Sequence, residues 1–150
     1  MKITAQVQIK RPLEEVFAYV SNYLNDPVWI GPMVEVQQTP GSPAAMGTSV
    51  GGVAHFLGRR LEMNGEVTSY ELNRKICLSS TIPFPQLDCR ICEAVNGDTL
   101  FSIMIEAAPR GILKFFAPLL AFLGQRQTLR DIQTLKKVLE SQARDEHDGG

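Results

Sequence analysis

The strongest pattern in the chain lies near its C-terminal end. Leu129, Ile132, Leu135, Val138 and Leu139 recur at spacings of three and four, with Arg130, Asp131, Lys136, Lys137 and Glu140 between them. That period predicts an amphipathic helix. The stretch before it, Ile112–Leu123, is apolar almost all round and interrupted only by Lys114. Pro118 within it is expected to kink or restart the helix, because proline lacks a donor and crowds the carbonyl one turn back. A helix over 111–142 would be about 45 Å long. An element of that length, with one apolar stripe and an over-apolar start, needs a broad apolar surface to lie on.

The rest of the chain reads mostly as strands. Residues 2–10 alternate Ile3, Ala5, Val7 and Ile9 with polar neighbours, the pattern of a half-buried strand. Pro12 opens a helix with the stripe Leu13, Val16, Phe17 and Val20, and Glu14 and Glu15 suit its first turn. A short helix over 22–26 ends at Pro27. Trp29 follows, then a strand over 33–39 and a loop at 40–43.

A meander begins after Gly47. Strands over 48–57 and 60–70, joined by a turn at Gly58-Arg59, pair Phe56 with Leu61, Ala54 with Met63, Gly52 with Gly65, and Val50 with Val67. These positions share one covered face, and Ile76, Leu78 and Ser80 of the next strand join it. His55 and Glu62 fall opposite each other on the outer face, as do Gly51 and Glu66. Tyr70 is also expected outside.

A last hairpin over 87–95 and 99–108 turns at Asn96-Gly97, with Phe101, Ile103 and Ile105 inward. Its register has two solutions. A two-residue turn pairs Arg90 with Ile103 and Asp88 with Ile105, which puts both charges inside. A three-residue loop pairs Ile91 with Ile103 and leaves Arg90 outside. The second is expected, because an unpartnered buried guanidinium is costly. The whole is an α+β domain over 1–143, a curved antiparallel sheet wrapped around a long C-terminal helix. Residues 144–150 read as a disordered tail.

Composition narrows the function. The chain has 150 residues, 44% hydrophobic and 21% charged, with net charge −1. It has no basic cluster of the kind nucleic acid requires. The alternating start lacks a signal pattern, so a cytoplasmic protein is expected. Residues 112–123 are too few to span a bilayer and are expected to be buried, not laid on a membrane. Cys77, Cys89 and Cys92 are expected to be reduced thiols. Cys89 and Cys92 point to opposite faces of a strand and cannot chelate together. Only His55 and His147 are available as imidazole ligands, so neither metal nor cofactor is expected.

No nucleophile elbow, phosphate loop or zinc-protease motif is present. Cys92 lacks a nearby base in sequence, and His55-Glu62 reads as an exposed cross-strand pair.

The order of elements resembles the helix-grip fold of the START-like or SRPBCC superfamily, and within it the polyketide cyclase/dehydrase-like family. The residues that carry the resemblance are Ile9 to Val20, then Asn25, Pro27 and Trp29, Gly47-Thr48, the Phe56-Leu57-Gly58-Arg59 turn, Glu66-Val67, and Leu129 to Glu140. It implies a cavity for an apolar small molecule between sheet and helix, and it transfers no catalytic residue. The derived register floors that cavity with Gly52, Gly65, Ala54 and Ser80. Val50, Phe56, Met63, Val67, Leu78, Phe101 and Ile103 surround it, Phe116 and Leu120 roof it, and it opens near Trp29. Two functions are left open, a carrier or sensor of an apolar small molecule and a cyclase or dehydratase acting in the same cavity.

Overall fold

The computed structural model describes the backbone of residues 1–41 and 43–148, and side chains as far as Gln142 except at Ser42. The chain runs β1 (Lys2–Ile9), α1 (Leu13–Val20), a 3-10 turn (Tyr23–Asn25), α2 (Asp26–Trp29), β2 (Met33–Thr39), β3 (Ser49–Phe56), β4 (Arg59–Glu71), β5 (Lys75–Ile82), β6 (Gln86–Val95) and β7 (Asp98–Ala107). A 3-10 segment (Gly111–Phe116) then leads into α3 (Ala117–Asp148). The seven strands form one antiparallel sheet in the order β1-β7-β6-β5-β4-β3-β2. With the long helix on its concave side, this is an α+β helix-grip architecture.

The two-residue turns set the register. Leu57 and Gly58 both have positive φ, 51° and 76°. That conformation matches the twist of a hairpin and favours glycine in the second place. The turn therefore sits one residue earlier than expected, and the strand partners slip by two. Gly52 faces Met63, Gly65 faces Val50, and Ala54 faces Leu61. The faces survive this slip because side chains alternate with period two. The partners do not: His55 faces Arg60, not Glu62, and Gly51 faces Asn64.

Asn96 and Gly97 also have positive φ, 51° and 87°, and close a two-residue turn. Arg90 consequently faces Ile103, and Asp88 faces Ile105. The expectation that Arg90 lies outside is overturned, and Arg90 is 1% exposed.

Strand β4 carries two irregularities, at Asn64/Gly65 and Val67/Ser69. Such bulges bend a strand and shift its parity. The second brings Tyr70 opposite Ile76 and onto the inner face, with its ring 5.9 Å from that of Phe17. The expected outward Tyr70 is thereby corrected.

In α3, Ile132, Leu135 and Leu139 are buried against Ile9, Val16, Phe17, Val20, Trp29, Phe101 and Ile103. Leu129, expected in the same stripe, is exposed. Pro118 lies in the first turn of α3, where a missing donor costs nothing. The helix passes close to β1, and a Cβ at Gly124 would come within 2.6 Å of Ile3 Cδ1. Ile112, Phe115, Phe116, Leu119 and Phe122 are exposed, against expectation. In a segment apolar on every side, the sheet can cover only one side. The helix is assigned through Asp148. The tail expected at 144–150 falls on side chains, and at 149–150 on backbone, outside the described residues.

Candidate functional site

The inner face divides into a sealed polar centre and an apolar row with access to solvent. Arg90 occupies the centre. Its Nη1 and Nη2 donate to the two carboxylate oxygens of Asp26, each at 2.8 Å, and Nη1 also donates to the carbonyl of Val20 at 2.9 Å. Nε donates to Asp88 Oδ1 at 3.3 Å. The guanidinium carbon lies 4.7 Å from the ring centroid of Tyr23 and 5.1 Å from that of Trp29. Burial works against the charge on Arg90, but Asp26 and Asp88 outweigh it and hold the group protonated. Burial also lifts the Tyr23 phenol well above its usual range. Tyr23 Oη and Trp29 Nε1 are buried without a hydrogen-bond partner among the described residues.

Asp88 is the reachable end of this network. Its side chain is 24% exposed, whereas those of Asp26 and Arg90 are nearly sealed. On the sheet it lies between Leu78 and Ile105. Along the same inner face Phe56, Leu61, Met63 and Leu78 are half-buried, as are Met33 from β2 and Leu120 from α3. Toward one end of the sheet, Ser80, Gln86 and Ala107 border an open cleft of about 600 Å³.

The residues expected to line a cavity are thus distributed among different surroundings. Val50 and Val67 are buried in a small core with Tyr23, Ala44 and Ile76. Phe101 and Ile103 are buried beneath α3. Trp29 is sealed edge-on against Phe101, with ring centroids 6.0 Å apart, so it does not form a mouth. Phe116 is exposed. Ala54 and Ser80 are buried.

The small-residue floor is also corrected. A Cβ on Gly52 would lie 2.9 Å from Met33 Cε, and one on Gly65 would lie 2.6 Å from Ser80 Oγ and 3.0 Å from Leu78 Cγ. Side chains of the flanking strands take the space the glycines vacate, Met33 from β2 at Gly52 and Leu78 and Ser80 from β5 at Gly65. Asp26, Tyr23 and Met33 had no assigned role in the sequence, whereas alternation had already put Leu61 on the covered face. The spacing of Asp26 and Tyr23 carries no signal, since both sit in short helical turns and meet Arg90 only through tertiary packing.

The thiols divide as well. Cys77 and Cys89 are directly opposite on β5 and β6, with Cα atoms 4.1 Å apart, and form a disulfide. The expectation of three reduced thiols, drawn from a reducing compartment and from the Cys89–Cys92 spacing, is corrected here, because the β5–β6 register sets Cys77 against Cys89. Cys92 is free and buried in the core, and burial pushes its thiol up to about 12. Among the described residues no group of three or more His, Cys, Asp or Glu is placed to hold a metal ion.

A family described as polyketide cyclase / dehydrase and lipid transport matches residues 1–140. The chain belongs to this family. Among solved structures it is similar to the protein TTHA0849 from Thermus thermophilus, at 13% identity over 94% of this chain and 99% of that one, with a TM-score of 0.78. A START superfamily protein from Mycobacterium smegmatis aligns at 14% identity over 93% and 97% of the two chains, with a TM-score of 0.68. The di-domain ARO/CYC BexL of the BE-7585A biosynthetic pathway aligns at 14% identity and a TM-score of 0.69, over 93% of this chain and 46% of that one. These likenesses establish the START-like fold. No curated protein matches the chain.

Proposed function

We propose that this family member binds an apolar small molecule, of lipid or polyketide character, along the inner face of the sheet. Phe56, Leu61, Met63 and Leu78 form its apolar bed, and Asp88 accepts a hydrogen bond from a hydroxyl on the ligand. The observation that carries this reading is an apolar row left half-buried on the inner face, with the reachable carboxylate of Asp88 next to its Leu78 end. Apolar pockets with a few convergent polar groups are the usual form of small-molecule sites. The test is titration with a fluorescent fatty acid, comparing wild type with Met63→Asp and Leu78→Asp. Each variant places a charge in the bed and is expected to weaken binding at least about tenfold. Equal binding by variants that keep the wild-type circular dichroism would sink the proposal.

The second reading is a cyclase or dehydratase in which Asp88 acts as a base. It is supported by the place of the carboxylate between Leu78 and Ile105 and by the hydrogen bond from Arg90 that orients it. Asp88→Asn separates the two. A carrier keeps most of its fatty-acid affinity, while a cyclase loses turnover of a polyketide-like substrate. The Cys77–Cys89 bridge weighs against a reducing compartment. No helix of the described residues is long and apolar enough to cross a membrane.

A further inference from the structure

The 3-10 segment and the first turns of α3 hold large apolar side chains in the open. Ile112, Leu113, Phe115, Phe116, Leu119 and Phe122 are all exposed, Phe115 by 83%. Scattered exposed leucines need no account, but six large apolar residues within eleven positions make a patch.

The charges around this patch have one sign. From Ala107 to Arg130 the chain contains Arg110, Lys114, Arg126 and Arg130 and no Asp or Glu, although the whole protein has net charge −1. Leu119, Phe122, Arg126 and Arg130 follow one another at three or four positions in α3, with Phe115 just before them in the 3-10 segment. That spacing makes a single stripe along the helix. The Arg126 guanidinium lies 5.7 Å from the ring centroid of Phe122, which puts cation and aromatic on one side.

We propose that this stripe docks the protein on the surface of an anionic lipid bilayer. Phenylalanine and leucine side chains can enter the acyl boundary while arginine and lysine stay at the headgroups. A protein interface of ordinary composition has a polar rim that satisfies hydrogen bonds of both kinds. Here the stretch from Ala107 to Arg130 supplies cations alone, which match the charge of phosphatidylserine or phosphatidylglycerol headgroups. The helix lies on the bilayer, since no helix of the described residues can cross it. The proposal rests on the ligand-binding reading in one respect: a docked protein would exchange its apolar ligand with the lipid phase.

The experiment is sedimentation with vesicles of phosphatidylcholine and phosphatidylserine in equal parts, and with vesicles of phosphatidylcholine alone. Wild type is expected to bind the anionic vesicles more tightly, and added salt is expected to release it. Phe115→Ser with Phe122→Ser should lower partitioning at least about tenfold. Lys114→Gln and Arg126→Gln should each lower it about fivefold. Absence of sedimentation with anionic vesicles at low salt would overturn the proposal, as would equal partitioning of wild type and the double serine variant. A wild-type dimer in gel filtration that the double serine variant dissolves would also overturn it, by assigning the patch to a second copy. Fatty-acid titration in vesicle-free buffer separates the two proposals. Docking variants should retain that affinity, and its absence in wild type would remove the ligand reading while leaving the vesicle result to stand alone.

Discussion

Arg90 and Asp26, 64 positions apart in sequence, meet through two parallel hydrogen bonds of 2.8 Å. The pair ties α2 to β6 at a point where both side chains are out of water.

Removing one partner should therefore cost far more than removing both. Asp26→Ala takes the bidentate partner from a buried guanidinium, leaving only the longer contact to Asp88, and is expected to lose about 3–5 kcal/mol in urea unfolding. Replacing Asp26 by Leu and Arg90 by Met together should recover most of that loss, because an apolar core avoids the desolvation of two ions. A double variant no more stable than Asp26→Ala would show that the pair also fixes the position of α2.

Asp131 gives the fold a pH dependence of definite sign. It is buried on α3, and its Oδ1 accepts from Gly31 N at 3.0 Å and from Gln127 Nε2 at 2.8 Å. Burial pushes its carboxyl above the ordinary 3.8, and these two donors offset part of the rise. The folded state then holds the proton when the unfolded state has released it, so stability falls as pH rises from 3.8 through the raised value. Below 3.8 both states are protonated and the slope vanishes. Asp131→Asn keeps an acceptor for Gly31 and should flatten that slope in denaturation midpoints measured against pH. An unchanged slope would assign the dependence to another group.

Thiol counting tests the bridge and the core together. The native protein should react with no alkylating reagent at neutral pH, because Cys92 is buried and its thiol is pushed up to about 12. Unfolding without reductant should expose Cys92 alone, and unfolding with reductant should expose all three cysteines. Three reactive thiols without reductant would mean that Cys77 and Cys89 are unbridged in the cell that made the protein.

What the sequence disclosed follows from its periods. Alternation marked Ile3, Ala5, Val7 and Ile9 as the inward positions of β1, of which Ile3 and Ile9 are buried, and the spacing of Leu129, Ile132, Leu135, Val138 and Leu139 marked the gripped side of α3, of which Ile132, Leu135 and Leu139 are buried. Exact partners were harder to read, because a slip of two residues at Leu57-Gly58 leaves every face unchanged. Tyr70 was misread because the irregularity at Val67/Ser69 interrupts the period that places it. Arg90 was placed outside by a rule that holds for unpartnered charges. Its partner Asp26 sits in a different helix, and no local pattern announces a meeting across the core. The exposed start of α3 was hidden for a related reason: composition reports how apolar a segment is, not how much of it a sheet can cover.

The turn at Asn96-Gly97 has a consequence for how this chain can vary. Surface turns usually tolerate changes in length, since little depends on them. Here one inserted residue would invert the facing of β6 relative to β7. Arg90 would swing to the outside, Asp26 would lose the guanidinium that neutralises it, and Ile91 would arrive in a place shaped for a cation. A two-residue loop at the solvent boundary thus sets the electrostatics of the interior. Sequences that drift from this one should be free to change the identity of Asn96 well before they can change the length of the turn.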